Sequence, residues 1–213
     1  MHHFPIGEIK EWSRFYRGNF INCLSGFKPV SLIGTINKEQ QTNLAIFSNI
    51  FHLGADPALI GFINRPLIAA PHTLTNIQNT TSYTINHIQK DIVAQAHQTS
   101  AKYNALISEF DATGFTPIFR NGCQAPFVAE SHLQYSLDLV EVVPIKHNET
   151  FMVIGALQDV YLNKELILED GFIDLEKSGS VASLGIDAYY SCNQIGRFKY
   201  ADPNKPLLTK PSK

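Results

Sequence analysis

Thr42-Asn43-Leu44-Ala45-Ile46-Phe47-Ser48-Asn49 is the segment on which the fold turns. It lies between two apolar runs that read as strands, Val30-Ser31-Leu32-Ile33-Gly34-Thr35-Ile36 and Ala58-Leu59-Ile60-Gly61-Phe62. A purely structural strand would carry bulky apolar residues at alternate positions. This segment instead mixes small residues, hydroxyls and an amide. Small side chains let backbone approach a flat ligand, while Thr, Asn and Ser supply adaptable donors and acceptors. The segment therefore reads as a ligand cradle set in β structure.

Working outward, residues 1–18 place Ile9, Trp12, Phe15 and Tyr16 at helical spacing, which predicts a short helix or an arm on the body. A strand is expected over 28–36, starting at Pro29, followed by a polar turn at Asn37–Gln41. Beyond the cradle, 48–55 leads through an Asp56-Pro57 turn into a strand at 58–64, because Pro57 disfavours helix at Asp56. His72–Asn79 reads as a short helix with Leu74 and Ile77 on its apolar face and a polar N-terminus. Residues 82–88 alternate as a strand does.

From 90 to 110 the period becomes helical (Ile92, Val93, Ala96, Ala101, Tyr103, Leu106, Ile107), and Gly114 and Pro117 end that insert. Strands follow at 125–130, 133–143 and 150–161, with a hairpin turn at Asn148-Glu149. Residues 163–180 read as a loop with a short helical piece, 181–200 as irregular, and 203–213 as an extended, mobile tail. The domain proper is expected over 19–202. About six strands, with helices confined to one insert and the edges, predict a mainly β (α+β) fold built as a small antiparallel barrel. Closure of such a barrel removes exposed sheet edges.

Composition excludes several classes. A net charge of −2 with scattered basic residues gives no reason to expect nucleic acid or an anionic membrane. No apolar run approaches the roughly 18 residues of a membrane span, and the start of the chain lacks a signal-peptide pattern. The cytoplasm is the expected compartment. Three widely spaced cysteines, Cys23, Cys123 and Cys192, read as reduced thiols. The eight histidines include no pair at helical metal-site spacing, so no metal is expected.

Four segments carry a resemblance in their order: Pro29-Val30-Ser31-Leu32-Ile33-Gly34-Thr35, then Asn43–Ser48, then Asp56-Pro57-Ala58-Leu59-Ile60-Gly61-Phe62, then His72-Thr73-Leu74-Thr75-Asn76-Ile77. Together they resemble the flavin reductase-like family of FMN-binding split barrels, antiparallel Greek-key barrels to which flavoredoxin-like flavoproteins also belong. Thr150–Leu157 is similar to the family's late strand. The resemblance spans about residues 19–200, nearly the whole chain. It implies FMN as cofactor, with FAD admitted by an open cleft, NAD(P)H as co-substrate, and a homodimer with flavin near its interface. It also implies hydride or electron transfer, to the flavin or onward to an acceptor protein.

By that resemblance Ser31, Thr42, Asn43, Leu44 and Ala45 would cradle the flavin ring, Leu44 and Ala45 through their backbone. Ser48, Asn49, Arg65, His72 and Thr73 would form the phosphate site, the last two at a helix N-terminus that favours an anion. Chemistry carried by the cofactor requires no triad or carboxylate pair, so no catalytic residue is named. One departure bears on the electron donor. Many members carry Gly-Asp-His before the late strand, with that His linked to nicotinamide use; this chain has His147-Asn148-Glu149-Thr150. Two other readings stay open: an electron carrier without its own NAD(P)H site, and a split barrel for another cofactor such as haem or pyridoxal phosphate. Asp187–Tyr190 and Asn193–Phe198 are expected either as a flap over the flavin or dimer seam, or as a segment packed on the barrel exterior.

Overall fold

The computed structural model describes residues 1–104, 106–120 and 122–210. In chain order its first half holds α1 (Ile6–Glu11), α2 (Arg14–Leu24), β1 (Lys28–Pro29), β2 (Ser31–Ile36), β3 (Thr42–Phe47), β4 (Ile50–Ala55), β5 (Ala58–Asn64), α3 (Pro71–Thr80) and β6 (Ser82–His87). The second half holds α4 (Val93–Gln98), α5 (Glu109–Thr113), β7 (Pro117–Arg120), β8 (Cys123–Val128), β9 (Leu133–Ile145), β10 (Thr150–Leu162), α6 (Leu175–Ser178), β11 (Val181–Leu184) and β12 (Ala188–Ser191).

Seven strands form one antiparallel sheet in the order β3-β2-β6-β9-β10-β5-β4. Its two edge strands, β3 and β4, are consecutive in the chain and separated only by Ser48 and Asn49. A connection that short can join the two edges only if the sheet curls back on itself. The result is an antiparallel barrel of an α+β fold, open along the β3–β4 seam. The bond from Ile63 N–H to Asn49 O (3.0 Å) fixes that corner. The segment that decided the sequence reading therefore ends at the mouth of the barrel.

β2 is buried at all six positions, because both of its faces are covered. Ile33 joins Phe62, Leu74, Ile77, Tyr83, Ile85, Leu137 and Val153 in one core cluster. Leu32 points the other way, into a second cluster with Leu44, Ile88, Ile92, Ala96, Phe110 and Val128. Such a strand reads as a continuous apolar run. α3 begins with Pro71 at its first helical position and ends at Thr81 in the left-handed region, and it buries Leu74 and Ile77 completely. Each of those side chains contributes about 1.5–3 kcal/mol by leaving water.

The structure revises several expected elements. β4 was read only as the approach to a turn. Its exposed His52 and Leu53, with Gly54 and a register shift at that point, erase the alternation. The insert is not one helix. A 3₁₀ turn at Lys90–Ile92 leads into α4, the chain then leaves helical geometry after Gln98, and α5 begins at Glu109. Ala105 and residues 211–213, which fall within the expected insert and tail, lie outside the described residues. β7 was missed, and β8 sits two residues earlier than expected. Residues 181–200 contain the β11–β12 hairpin, which pairs with β1. The N-terminal segment forms two helices, the second running past residue 18 to Leu24. Among the described residues, no helix is long and apolar enough to cross a membrane, and no cluster of three or more His, Cys, Asp or Glu side chains is placed to hold a metal.

Tyr83 offers a direct test of the core. Its ring lies edge-on to Phe62, but its buried hydroxyl has no hydrogen-bond partner. Burial pushes the phenol well above its ordinary pKa, so it stays neutral. Gly155 on β10 leaves the room that this hydroxyl fills. An unpartnered buried hydroxyl costs about 1–3 kcal/mol, partly offset by the cavity its removal leaves. Tyr83→Phe is expected to leave stability unchanged or raise it by about 1 kcal/mol, read from urea unfolding. A clear loss would mean that the hydroxyl is paired.

Candidate functional site

A cleft of about 560 Å³ opens at the β3–β4 seam, a volume in the range of cofactor sites. Its floor is β3 and the junction that follows: Asn43, Ala45, Ile46, Phe47, Ser48 and Asn49. One wall is Arg65 and the loop running into α3, with His72 and Thr73 at the start of that helix. Another is the stretch after α4, including Ser100, Lys102 and Tyr103. The β9–β10 hairpin contributes Asn148 and Thr150, and the β11–β12 hairpin contributes Ser183 and Tyr189.

α3 is held in place by a buried polar network. Asn43 Nδ2 donates to Thr35 Oγ1 (3.2 Å) and to Thr73 Oγ1 (3.3 Å), and Asn76 Nδ2 donates to the same Thr35 oxygen (3.1 Å). These bonds lock the helix start to β2 and β3. Asn64 at the end of β5 clamps the loop between sheet and helix. Its Nδ2 donates to Arg65 O (2.7 Å) and Ala70 O (3.2 Å). The helix that this loop enters has Ala70 as its N-cap, no capping side chain and no acidic residue in its first turn. Alanine is a poor cap, so no side chain takes the first N–H groups of α3, and Arg65 lines the same cleft.

The outer edge of β3 is divided. Thr42 Oγ1 meets Ser108 Oγ at 2.7 Å, and Leu44 N–H donates to a Glu109 carboxylate oxygen at 3.0 Å. Ser108 and Glu109 thus cover the first half of the edge, pinned by the fully buried Phe110. Desolvation raises the Glu109 carboxyl pKa, opposed by the bond from Leu44 and by the nearby His72. Along an edge strand, every second N–H faces the same way. Ile46 therefore presents its N–H on the outward side, past the end of the Glu109 cover.

The sequence-derived set sorts accordingly. Asn43, Ala45, Ser48, Asn49, Arg65, His72 and Thr73 all line the cleft. Ser31 is buried, and Leu44 has a buried side chain and an occupied N–H; neither lines it. Thr42 borders a smaller side pocket of about 40 Å³ instead. The reason is the insert: its docking on β3 takes the donors at 42 and 44 that were assigned to a ligand. The residues missed are those after α4, because the stretch was read as helix. The signal was present in Thr99-Ser100 and Asn104, which favour local side-chain bonding over helix; Thr99 Oγ1 bonds Ala96 O at 2.8 Å. The position before the late strand carries no imbedded imidazole: His147 and Glu149 are exposed, and Asn148 and Thr150 line the cleft.

Residues 27–173 match the family model described as flavin reductase like domain. Among solved structures, a candidate flavin reductase with split barrel domain from Shewanella frigidimarina shares 46% identity, with a TM-score of 0.92 over 94% of this chain and 100% of that one. Nitrilotriacetate monooxygenase component B from Bacillus cereus aligns at 19% identity and TM-score 0.80, over 91% of this chain and 96% of that one. Flavoredoxin of Desulfovibrio vulgaris aligns at 20% identity and TM-score 0.70, over 84% and 92%. The last two likenesses speak to the fold alone.

Proposed function

The chain belongs to the flavin reductase-like family, and on that premise we propose that its cleft binds FMN and that the protein is an oxidoreductase. In this reading, hydride or electrons pass from NAD(P)H to the flavin, or from the flavin to an acceptor. The observation that carries it is the uncapped N-terminus of α3, which shares with Arg65 a cleft whose floor is the later half of edge strand β3. A helix N-terminus with an adjacent guanidinium suits a phosphate. One such terminus matches the single phosphate of FMN better than the longer diphosphate of FAD.

Ser48, Asn49, Arg65, His72 and Thr73 would hold the phosphate end. Ala45, with a side chain of one carbon, and the Ile46 N–H would meet the flat ring and its polar edge. The bound flavin supplies the hydride and electron chemistry. The chain's own residues orient it and exclude water from one face, and Glu109 holds β3 in register against the insert. We also propose a homodimer: α2 buries none of its residues and leaves Phe15, Tyr16 and Leu24 exposed, an apolar surface suited to a second copy.

A second reading is favoured by one observation. With His147 exposed and outside the cleft, the site lacks the imidazole that the family resemblance links to nicotinamide use, which supports an electron carrier to a partner protein. The test is an absorption spectrum of the FMN-loaded protein before and after anaerobic NADH, with sedimentation of the same sample reading the dimer. Bleaching supports a nicotinamide-dependent reductase. A flavin spectrum that persists supports the carrier. No flavin retained after incubation with FMN removes both.

A further inference from the structure

Among the described residues that line the cleft, Glu109 is the one acid. Arg65, His72, His97 and Lys102 line it too, so the carboxyl stands in an otherwise cationic site. It also borders the side pocket of about 40 Å³, which it shares with His72, Tyr103 and Asn43. A space that small keeps the carboxyl close to the start of α3, where the phosphate of FMN would lie.

The carboxyl cannot swing away. Its Oε2 accepts from Leu44 N–H at 3.0 Å, the next residue, Phe110, is fully buried, and Ser108 caps the helix by accepting from Phe110 N–H. Among the described residues, Glu109 forms no ion pair. Pinning β3 to the insert needs one acceptor and no charge, and a glutamine carbonyl would serve without the cost of desolvating an anion. That desolvation raises the pKa of the carboxyl, against the bonds from Leu44 and its own N–H and the nearby His72. Few charged groups face it. β3, packed on α5, carries no titratable side chain. α4 presents His97, the stretch after it Lys102 and Tyr103, α3 His72, and the loop before α3 Arg65. Asp111, on the same helix, is exposed.

We propose that Glu109 sets the charge of the ligand that the cleft accepts, opposing a phosphate while ionised and admitting it once protonated. The inference rests on the flavin reading. A bound phosphate repels a neighbouring carboxylate, so Glu109 holds its proton more firmly in the loaded site than in the empty one. Binding of FMN then carries a proton onto Glu109. By linkage, the added affinity is complete below the carboxyl's pKa in the empty site and is lost as pH rises through its pKa in the loaded one. Riboflavin has the same ring without the phosphate and escapes this control.

The test titrates FMN and riboflavin by fluorescence quenching against wild type and Glu109→Gln, from about pH 5.5 to about pH 8.5. The phosphate and the histidines titrate alike in both proteins, so the difference between them reads Glu109. Glu109→Gln is expected to bind FMN about three- to tenfold more tightly than wild type at the upper end, the ratio falling toward one at the lower end. Riboflavin affinity is expected to differ less than about twofold throughout. Infrared difference spectra of wild type need no variant: within that pH range FMN, and not riboflavin, is expected to add a protonated-carboxyl band. The inference is overturned if Glu109→Gln binds both flavins as wild type does, if it weakens both alike, or if FMN adds no such band. Any of these results with both flavins bound by wild type sinks this inference alone, whereas wild type that binds neither flavin removes the flavin reading with it.

Discussion

Gly34→Ala is expected to destabilise the protein by about 3 kcal/mol, lowering its melting temperature by roughly 6–12 °C. Gly34 sits mid-strand on β2, where β8 crosses over the sheet. A Cβ built there falls within 2.6 Å of Thr84 Oγ1 and closer still to the carbonyl oxygen of Pro126. The crossing is held by polar groups that leave no slack. Thr84 Oγ1 donates to Pro126 O at 2.6 Å, Asn86 Nδ2 donates to Thr84 Oγ1 at 3.0 Å, and Val128 N–H donates to Asn86 Oδ1 at 3.0 Å. An added methyl must push β8 off β2, and these bonds stretch with it. Because the nearer obstacle is backbone, Gly34→Ala/Thr84→Ala should recover little. Gly61→Ala is the comparison: its Cβ would meet the Phe51 ring, within 2.5 Å, and a side chain can turn away. Thermal melts of the three variants decide it. Equal small losses for Gly34→Ala and Gly61→Ala would mean that β8 does not lie on β2 as described.

That crossing also explains what the sequence made legible. β2 was readable because a covered strand reads as an apolar run, and β6 and β9 because two unlike faces impose alternation. The first polar positions of β9 do not face water. Gln134 and Ser136 are buried, Gln134 accepting from Arg120 (3.1 Å) and Ser136 from the Asp159 N–H (3.2 Å). Alternation recorded that two environments exist, but not that the second is another layer of protein. β4 and the β11–β12 hairpin were illegible for the opposite reason. The residues of β4 and β12 are partly exposed on either face, so neither period was enforced there, and β11 is too short at four residues to show one.

The candidate site was legible where donors are concentrated in sequence and obscure where they come from separate elements. Asn43 and Thr73 were both read as ligand donors, one from the strand and one from the helix. They meet, through Asn43 Nδ2, and so position α3 as well as line the cleft. No local pattern announces that meeting across 30 residues. Thr42 and Leu44 are engaged by a partner that no local pattern announces, since Ser108–Glu109 arrives from about 65 residues away. Ser183 and Tyr189 carried no motif, and only the pairing of two short strands brings them to the cleft.

Arg65→Met is expected to raise the dissociation constant for FMN about 10- to 100-fold and to leave that for riboflavin nearly unchanged. Arg65 sits on the loop clamped by Asn64 and lines the same cleft as His72 and Thr73 at the start of α3, where no side chain caps the helix. Phosphate held by both receives charge-assisted hydrogen bonds, worth about 1.5–3 kcal/mol each. Riboflavin has the same ring and ribityl chain without the phosphate, so it loses nothing when the charge is removed. Methionine keeps most of the length of the side chain and so preserves packing on the loop. Arg65→Lys should fall between, since an ammonium retains charge but not the paired donors. Raising salt should weaken FMN binding by wild type more than by Arg65→Met, because the charge that salt screens is the one removed. Fluorescence quenching titrations of FMN and riboflavin against both variants read all of this. If Arg65→Met weakens the two flavins equally, Arg65 acts through the shape of the loop and the phosphate lies elsewhere. If it weakens neither, the α3 N-terminus and Ser48 carry the phosphate alone.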